Sequence, residues 1–282
     1  MVTLIRVIVL SVVLGISGLN AQDFQGEATY KTKRKVDLKI DSTNTSLTPD
    51  LQKQMQEMLK KQFEKTFILT FNKEESLYKE DVELAPPGSG ISMNGVSIKA
   101  FSGGGSDVLY KNTKEGSFIN QNEVFGKIFL IKDQLEKRQW QLGQETKNIG
   151  QYTCYKAIYT EEIEVLESRF GSDDEEQKET KMETRTVTAW YTPQIPVNNG
   201  PEQYQGLPGL ILEINDGDQQ IVCSKIVLNP ENKVTIKPPR QGKEVNQEEF
   251  EEIMEQKMKE FQEQFRPTGR ESGETIQIRI GG

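Results

Sequence analysis

Residues 209–228 read G-L-I-L-E-I-N-D-G-D-Q-Q-I-V-C-S-K-I-V-L. Two runs rich in Ile, Leu and Val flank Asn215-Asp216-Gly217-Asp218, and Asp-Gly between such runs signals a tight β-hairpin. Strands are therefore expected at 209–214 and 219–228. Leu210 and Leu212 alternate along the first of them, which places both on one buried face. In both directions from the hairpin the same signature recurs. Further strands are expected at 67–71, 77–84, 108–111, 117–124, 127–131, around Trp140, at 152–160 and at 183–191. Near the N-terminus Ala28, Tyr30, Thr32, Arg34, Val36, Leu38 and Ile40 share one face of an extended segment whose other face is mostly charged. At the C-terminus Ile276, Ile278 and Ile280 alternate with Gln277 and Arg279, as in an edge or closing strand.

Two segments break this pattern with a helical period. Thr48-Pro49-Asp50 reads as a helix start, followed by Leu51, Met55, Met58, Leu59 and Phe63 on one stripe. Phe250, Ile253, Met254, Met258, Phe261 and Phe265 mark a second amphipathic helix, stopped by Pro267. The strands are consecutive and no helix separates most of them, which argues against a parallel βαβ arrangement. The expected fold is mainly β (α+β): a curved antiparallel sheet or half-barrel meander with two amphipathic helices. A β-sandwich of immunoglobulin type is the alternative.

Composition narrows the chemistry. Among 282 residues there are 35 Lys+Arg, 43 Asp+Glu, no His and two Cys, for a net charge of −8. Without histidine there is no Ser-His-Asp or Cys-His machinery and no His-ligated zinc. Two cysteines complete neither a Cys₄ zinc site nor an iron–sulfur cluster. The acidic balance argues against nucleic acid as a partner. No cofactor and no metal site is indicated. Gly103-Gly104-Gly105 lacks the Lys-Ser/Thr of a phosphate loop, so 85–107 is expected to be a flexible loop. The acidic run Ser172-Asp173-Asp174-Glu175-Glu176 lacks the spaced ligands of a calcium loop, and 171–180 is expected to be a second flexible loop at a solvated hairpin end.

Residues 2–19 are almost entirely apolar, Arg6 being their only charge, and the stretch ends at Ala21 before the polar Gln22-Asp23. Its apolar run Val7–Gly15 is short of the ~20 residues of a membrane span, and its pattern is that of a secretory signal peptide cleaved after Ala21. This leaves one mainly-β domain over 22–282, exported, with no transmembrane segment in the mature chain. An oxidising compartment then makes a disulfide between Cys154 and Cys223 the expectation, both lying in strand-like segments.

The segment 189–214 is the most unusual: A-W-Y-T-P-Q-I-P-V-N-N-G-P-E-Q-Y-Q-G-L-P-G-L-I-L-E-I. Pro193, Pro196, Pro201 and Pro208 fix φ, while Gly200, Gly206 and Gly209 permit positive φ or close backbone approach. The hexapeptide Gly206-Leu207-Pro208-Gly209-Leu210-Ile211, with the lead-in Trp190-Tyr191-Thr192-Pro193, resembles the GLPGLI family of exported bacterial proteins. Residues 149–157 and Trp140 are similar to that family's preceding strand block. The resemblance implies a Gram-negative envelope location, periplasmic or secreted, and a β-rich fold; it implies no activity and supplies no catalytic residues.

Three functions compete. The first is a non-enzymatic envelope protein with a structural or binding role, its contacts to an envelope protein made by Trp190, Tyr191, Tyr204 and Leu207 on the stiff loop. The second is a carrier of a small apolar ligand such as a lipid, resting on a curved sheet with Met/Phe helices. The third is a carboxylate-based hydrolase, for which Glu202 and Glu213 flank the loop. The first is the expectation.

Overall fold

Alternation decides the first strand: Ala28, Tyr30 and Thr32 are buried and Lys31 and Lys33 exposed. A computed structural model describes residues 24–34, 36–40, 64–81, 92–93, 96–97, 107–124, 126–167, 179–232, 235–264 and 276–280. The expected signal peptide 1–21, the first amphipathic helix, most of the loop 85–107 and the acidic run 172–176 lie outside the described residues.

The strands are β1 (Gly26–Arg34), β2 (Val36–Ile40), β3 (Lys65–Phe71), β4 (Glu75–Glu80), β5 (Ser92–Met93), β6 (Val96–Ser97), β7 (Val108–Asn112) and β8 (Ser117–Val124). They continue with β9 (Lys127–Gln134), β10 (Gln141–Ile149), β11 (Tyr152–Glu167), β12 (Glu179–Thr192), β13 (Leu210–Asn215), β14 (Gln219–Leu228), β15 (Lys243–Val245) and β16 (Ile276–Ile280). Helix α1 spans Gln247–Gln264.

Twelve of these strands form one sheet in the order β10-β11-β12-β13-β14-β1-β3-β4-β7-β8-β9-β15. All neighbours are antiparallel except β15, which runs parallel to β9. One continuous sheet replaces the two stacked sheets of the sandwich alternative. Strand β16 pairs antiparallel with β2, apart from the main sheet, as a closing strand for the N-terminal segment.

The connectivity dictates curvature. Strands β9 and β10 are joined only by residues 135–140, yet they stand near opposite ends of the sheet. Ten strand spacings on a flat sheet amount to ~48 Å. From Gln134 to Gln141 the chain reaches ~25 Å at most. The sheet is therefore curled, and its two ends turn toward each other.

Strands β11 and β12 are longer than the sequence suggests, pairing from Tyr155↔Tyr191 out to Glu167↔Glu179. Much of the acidic stretch after Thr160 is thus a two-stranded ribbon. Glu161 and Arg185 face each other across it and pair at 2.6 Å, an opposite-charge cross-strand contact. In the 209–228 hairpin, Asp216 Oδ1 accepts from the Asp218 and Gln219 N–H groups, and Gly217 takes the positive φ of 99°. Helix α1 starts with a reciprocal capping box. Asn246 Oδ1 accepts from Glu249 N at 2.8 Å, and Glu249 Oε2 accepts from Asn246 N at 3.0 Å. Phe250 anchors it, edge-on to Phe129 of β9 at 5.5 Å. No helix among the described residues is long and apolar enough to cross a membrane.

The core runs along β1, β3, β11, β12, β13 and β14 through Ala28, Leu69, Ala157, Val187, Ile214 and Ile221. Strand β13 departs from simple alternation: Leu210 and Leu212 are buried, but so is Ile211 between them. Both faces are covered because the segment 193–209 folds back over it.

The disulfide expectation is overturned. Cys154 on β11 and Cys223 on β14 are buried free thiols. Strands β12 and β13 stand between them, so they are three spacings apart along the ladder. Export alone does not bring two thiols together; register does.

Candidate functional site

The Pro/Gly segment 193–209 is an internal wall. Ile195 and Val197 are buried, and Leu207 is 1% exposed. Leu210 N and Ile211 N donate to the carbonyls of Ile195 and Asn199, tying the segment to the start of β13. The β9–β10 connection secures the rest. Trp140 Nε1 donates to Gln205 O at 2.9 Å, Gln205 Nε2 to Glu136 O at 2.9 Å, and Arg138 to Gln203 O at 2.9 Å. The Arg138 guanidinium lies 5.0 Å from the Tyr204 ring and 5.7 Å from that of Tyr159.

Lys111 of β7 is 0% exposed, and its Nζ donates to Gly200 O at 2.7 Å and Tyr204 O at 3.4 Å. Burial first, and Arg138 second, pull its pKa down to about 7, with Glu202 acting in the opposite sense. An amine therefore crosses from the sheet to the loop and holds it.

The glycines do two different jobs. Gly206 has φ 100°, and its N–H donates to Asn198 Oδ1. Gly209 needs no unusual φ but lies against backbone: a Cβ there would sit 2.2 Å from Thr192 O. Gly200 lies against the Ile211 side chain: a Cβ there would sit 2.8 Å from Ile211 Cβ. Pro201 is buried, whereas Pro193, Pro196 and Pro208 are exposed.

The residues expected to present a contact surface are placed mostly inward. Tyr191 is buried, with its ring 6.2 Å from Tyr155. Tyr204 is 8% exposed, and Leu207 packs in the core. Trp190 is half-buried under Lys147, whose Nζ is 4.4 Å from the ring centroid and 2.7 Å from Glu213 Oε2.

Beside the wall opens a cleft of about 440 Å³. Its floor is a row across the sheet: Tyr78 of β4 is opposite Leu109 of β7, which is opposite Asn120 of β8. Phe67 of β3 stacks on Tyr78 at 4.8 Å with rings 7° from parallel. Glu202, Gln203 and Tyr204 close it from the loop side, and Arg34, Arg138 and Arg185 with Asp107, Asp216 and Gln219 stand around the rim.

Most rim groups are already engaged. Arg34 donates to Gln219 Oε1 at 2.8 Å, and Gln219 Nε2 donates to Glu202 Oε1 at 2.7 Å, a relay that fixes the Glu202 carboxylate. Glu202 also takes a left-handed backbone, φ 46°, uncommon for a residue with a side chain. Burial raises its pKa, opposed by the Gln219 hydrogen bond. Burial likewise pushes Asp107 up to about 6, against the hydrogen bond from Glu123 N. Tyr78 is different. It is 4% exposed, and its hydroxyl has no hydrogen-bond partner among the described residues. Native interiors rarely leave such a group unsatisfied.

Of these residues the sequence pointed only to Glu202 and Tyr204, and Glu213, expected beside Glu202, is not part of the cleft. Tyr78, Asp107, Asn120 and Arg138 stand in unremarkable strand and turn sequence. Among the described residues no group of three or more Cys, Asp or Glu is placed to hold a metal ion.

Residues 140–213 match the model of a family described as a protein of unknown function (Porph_ging). This is the span on which the GLPGLI resemblance is strong. No curated protein matches the chain. Two solved structures of PNGF-II, in C2 and P21 space groups, are similar at 13% and 14% identity, with TM-scores of 0.46 and 0.45. The matches cover 82% and 81% of this chain but 32% of the other, so the chain spans about a third of that protein's length.

Proposed function

We propose that the chain is an exported, non-enzymatic binding protein of the bacterial envelope, whose ligand enters the cleft beside Tyr78 rather than meeting the Pro/Gly segment. One observation carries this: a cleft of small-ligand size, within the roughly 300–1,000 Å³ of such sites, is lined by Tyr78, whose buried hydroxyl has no partner among the described residues. An unmade hydrogen bond there costs about 1–3 kcal/mol, which a ligand group recovers. Export is supported by the apolar leader ending at Ala21 and by the GLPGLI resemblance. We favour this over the hydrolase alternative because Glu202 lines the cleft and Glu213 does not. The apolar carrier fits poorly as well, because an apolar ligand would desolvate Asp107, Glu202 and Asp216 without pairing them.

Native mass spectrometry of the protein isolated from its own envelope tests this reading. The expected spectrum shows the chain starting at Gln22 with a co-purified small molecule, and a Tyr78→Phe variant that has lost it. A chain retaining residues 1–21 overturns cleavage after Ala21, and a ligand-free spectrum overturns the binding role.

A further inference from the structure

We infer that the cleft takes a neutral polyhydroxylated ligand, a mono- or disaccharide unit; this rests on the binding role proposed above and names its substrate class. The charges of the lining are the first ground. Arg34, Arg138 and Arg185 are balanced by Asp107, Glu202 and Asp216, so a free anion or cation meets as much repulsion as attraction.

The arginines are also committed. Arg185 is held by Glu161 at 2.6 Å, Arg138 by Gln203 O and Tyr159 Oη, and Arg34 by Gln219. Arg138 and Arg185 are therefore closed as forks for a phosphate or carboxylate, and Arg34 gives one N–H to Gln219 beside the Glu202 carboxylate.

What the lining offers is a mixture of donors and acceptors. The Tyr78 hydroxyl can do both, Asn120 carries an amide, and the second oxygens of Glu202 and Asp216 accept. A sugar hydroxyl matches such a set because it too donates and accepts. Phe67, half-buried and backed by the Tyr78 ring, adds an apolar wall suited to the C–H face of a pyranose. Positively charged and phosphorylated ligands use only part of this lining, and lipids use almost none of it.

The test is calorimetric titration of the mature chain with cellobiose, maltose, lactose and mannobiose as neutral probes. Inorganic phosphate and citrate serve as anions, spermidine as the cation and laurate as the apolar probe. The expected result is saturable binding of at least one disaccharide, weakened ~10-fold or more in both Tyr78→Phe and Asn120→Ala, consistent with loss of one hydrogen bond in a desolvated site. Disaccharide binding unchanged in both variants places the site elsewhere and overturns the inference. Tyr78-dependent binding of phosphate, citrate, spermidine or laurate overturns the ligand class and leaves the binding role standing. No binding by any probe, together with a ligand-free native mass spectrum, removes both.

Discussion

Replacing Gly209 by alanine should be the most damaging single-methyl change in the Pro/Gly segment. The added Cβ would lie 2.2 Å from Thr192 O, 2.5 Å from Thr192 C and 2.8 Å from Pro193 N. Ordinary contact begins near 3.4 Å, so about 1.2 Å of separation has to be found between two backbone segments. Neither yields easily. Thr192 is fully buried at the end of β12, in register with Leu210, while Leu210 N is bonded to Ile195 O. Overpacking of side chains costs about 1–3 kcal/mol; with backbone on both sides the expected loss is about 3 kcal/mol or more. At this chain length that lowers Tm by roughly 6–12 °C. Gly206→Ala is the control. Its φ of 100° costs an L-residue about 1–2 kcal/mol, but the nearest atoms are those of the Trp140 ring at 3.4 Å. Equilibrium urea unfolding followed by the fluorescence of Trp140 and Trp190 gives both values. A Gly209→Ala variant within about 0.5 kcal/mol of the parent, or one more stable than Gly206→Ala, would refute the close-approach account.

Lys111 should make stability rise with pH between about 7 and 8.5. Over that window the folded amine is neutral and the unfolded one protonated, so the unfolded chain binds the extra proton and the slope approaches about 1.4 kcal/mol per pH unit. Asp107 acts oppositely but lower: its contribution is complete below about pH 4 and lost as pH rises through 6. Denaturant curves at several pH values should show the rise in the parent and none in Lys111→Met. Tyr78→Phe should raise the stability of the ligand-free protein by about 1 kcal/mol, since it deletes a buried hydroxyl that bonds to nothing; a drop in Tm would mean that the hydroxyl is satisfied. Cys154 and Cys223 should both react with a thiol reagent in denaturant and resist it when folded, because burial raises their pKa values to about 11 and about 12. Recovery of a Cys154–Cys223 disulfide peptide would contradict the strand register.

How much of this was legible depended on whether the information was local. The hairpin at 215–218 and the alternation of Ala28, Tyr30 and Thr32 were readable because turn chemistry and burial act on neighbours in the chain. Positive φ or close backbone approach in the 200–209 glycines was readable too, although which of the two Gly209 makes needed Thr192 in place. The burial of Lys111 was not. In Val-Leu-Tyr-Lys-Asn it has the look of a solvated strand residue, and only the carbonyls of Gly200 and Tyr204 make an interior site for it. The cleft was hidden for the same reason. Tyr78, Asn120 and Glu202 meet only after β14 has paired with β1, and no short-range pattern records that event.

That pairing gives the first strand an unusual role in time. One side of β1 zips to β3 across a modest loop, while its other side waits for β14, about two hundred residues further along the chain. A nascent chain emerges N-terminus first, so the meander from β3 to β9 completes with β1 as an unpaired border, and β10–β14 assembles separately. Joining the halves is then a late, long-range closure with two raw strand edges exposed beforehand, the condition under which chains add to one another instead. A holdase acting on the unfinished protein would find its target at the outer backbone edge of Gly26–Arg34. Deleting that strand would leave two half-sheets with no partner for either edge.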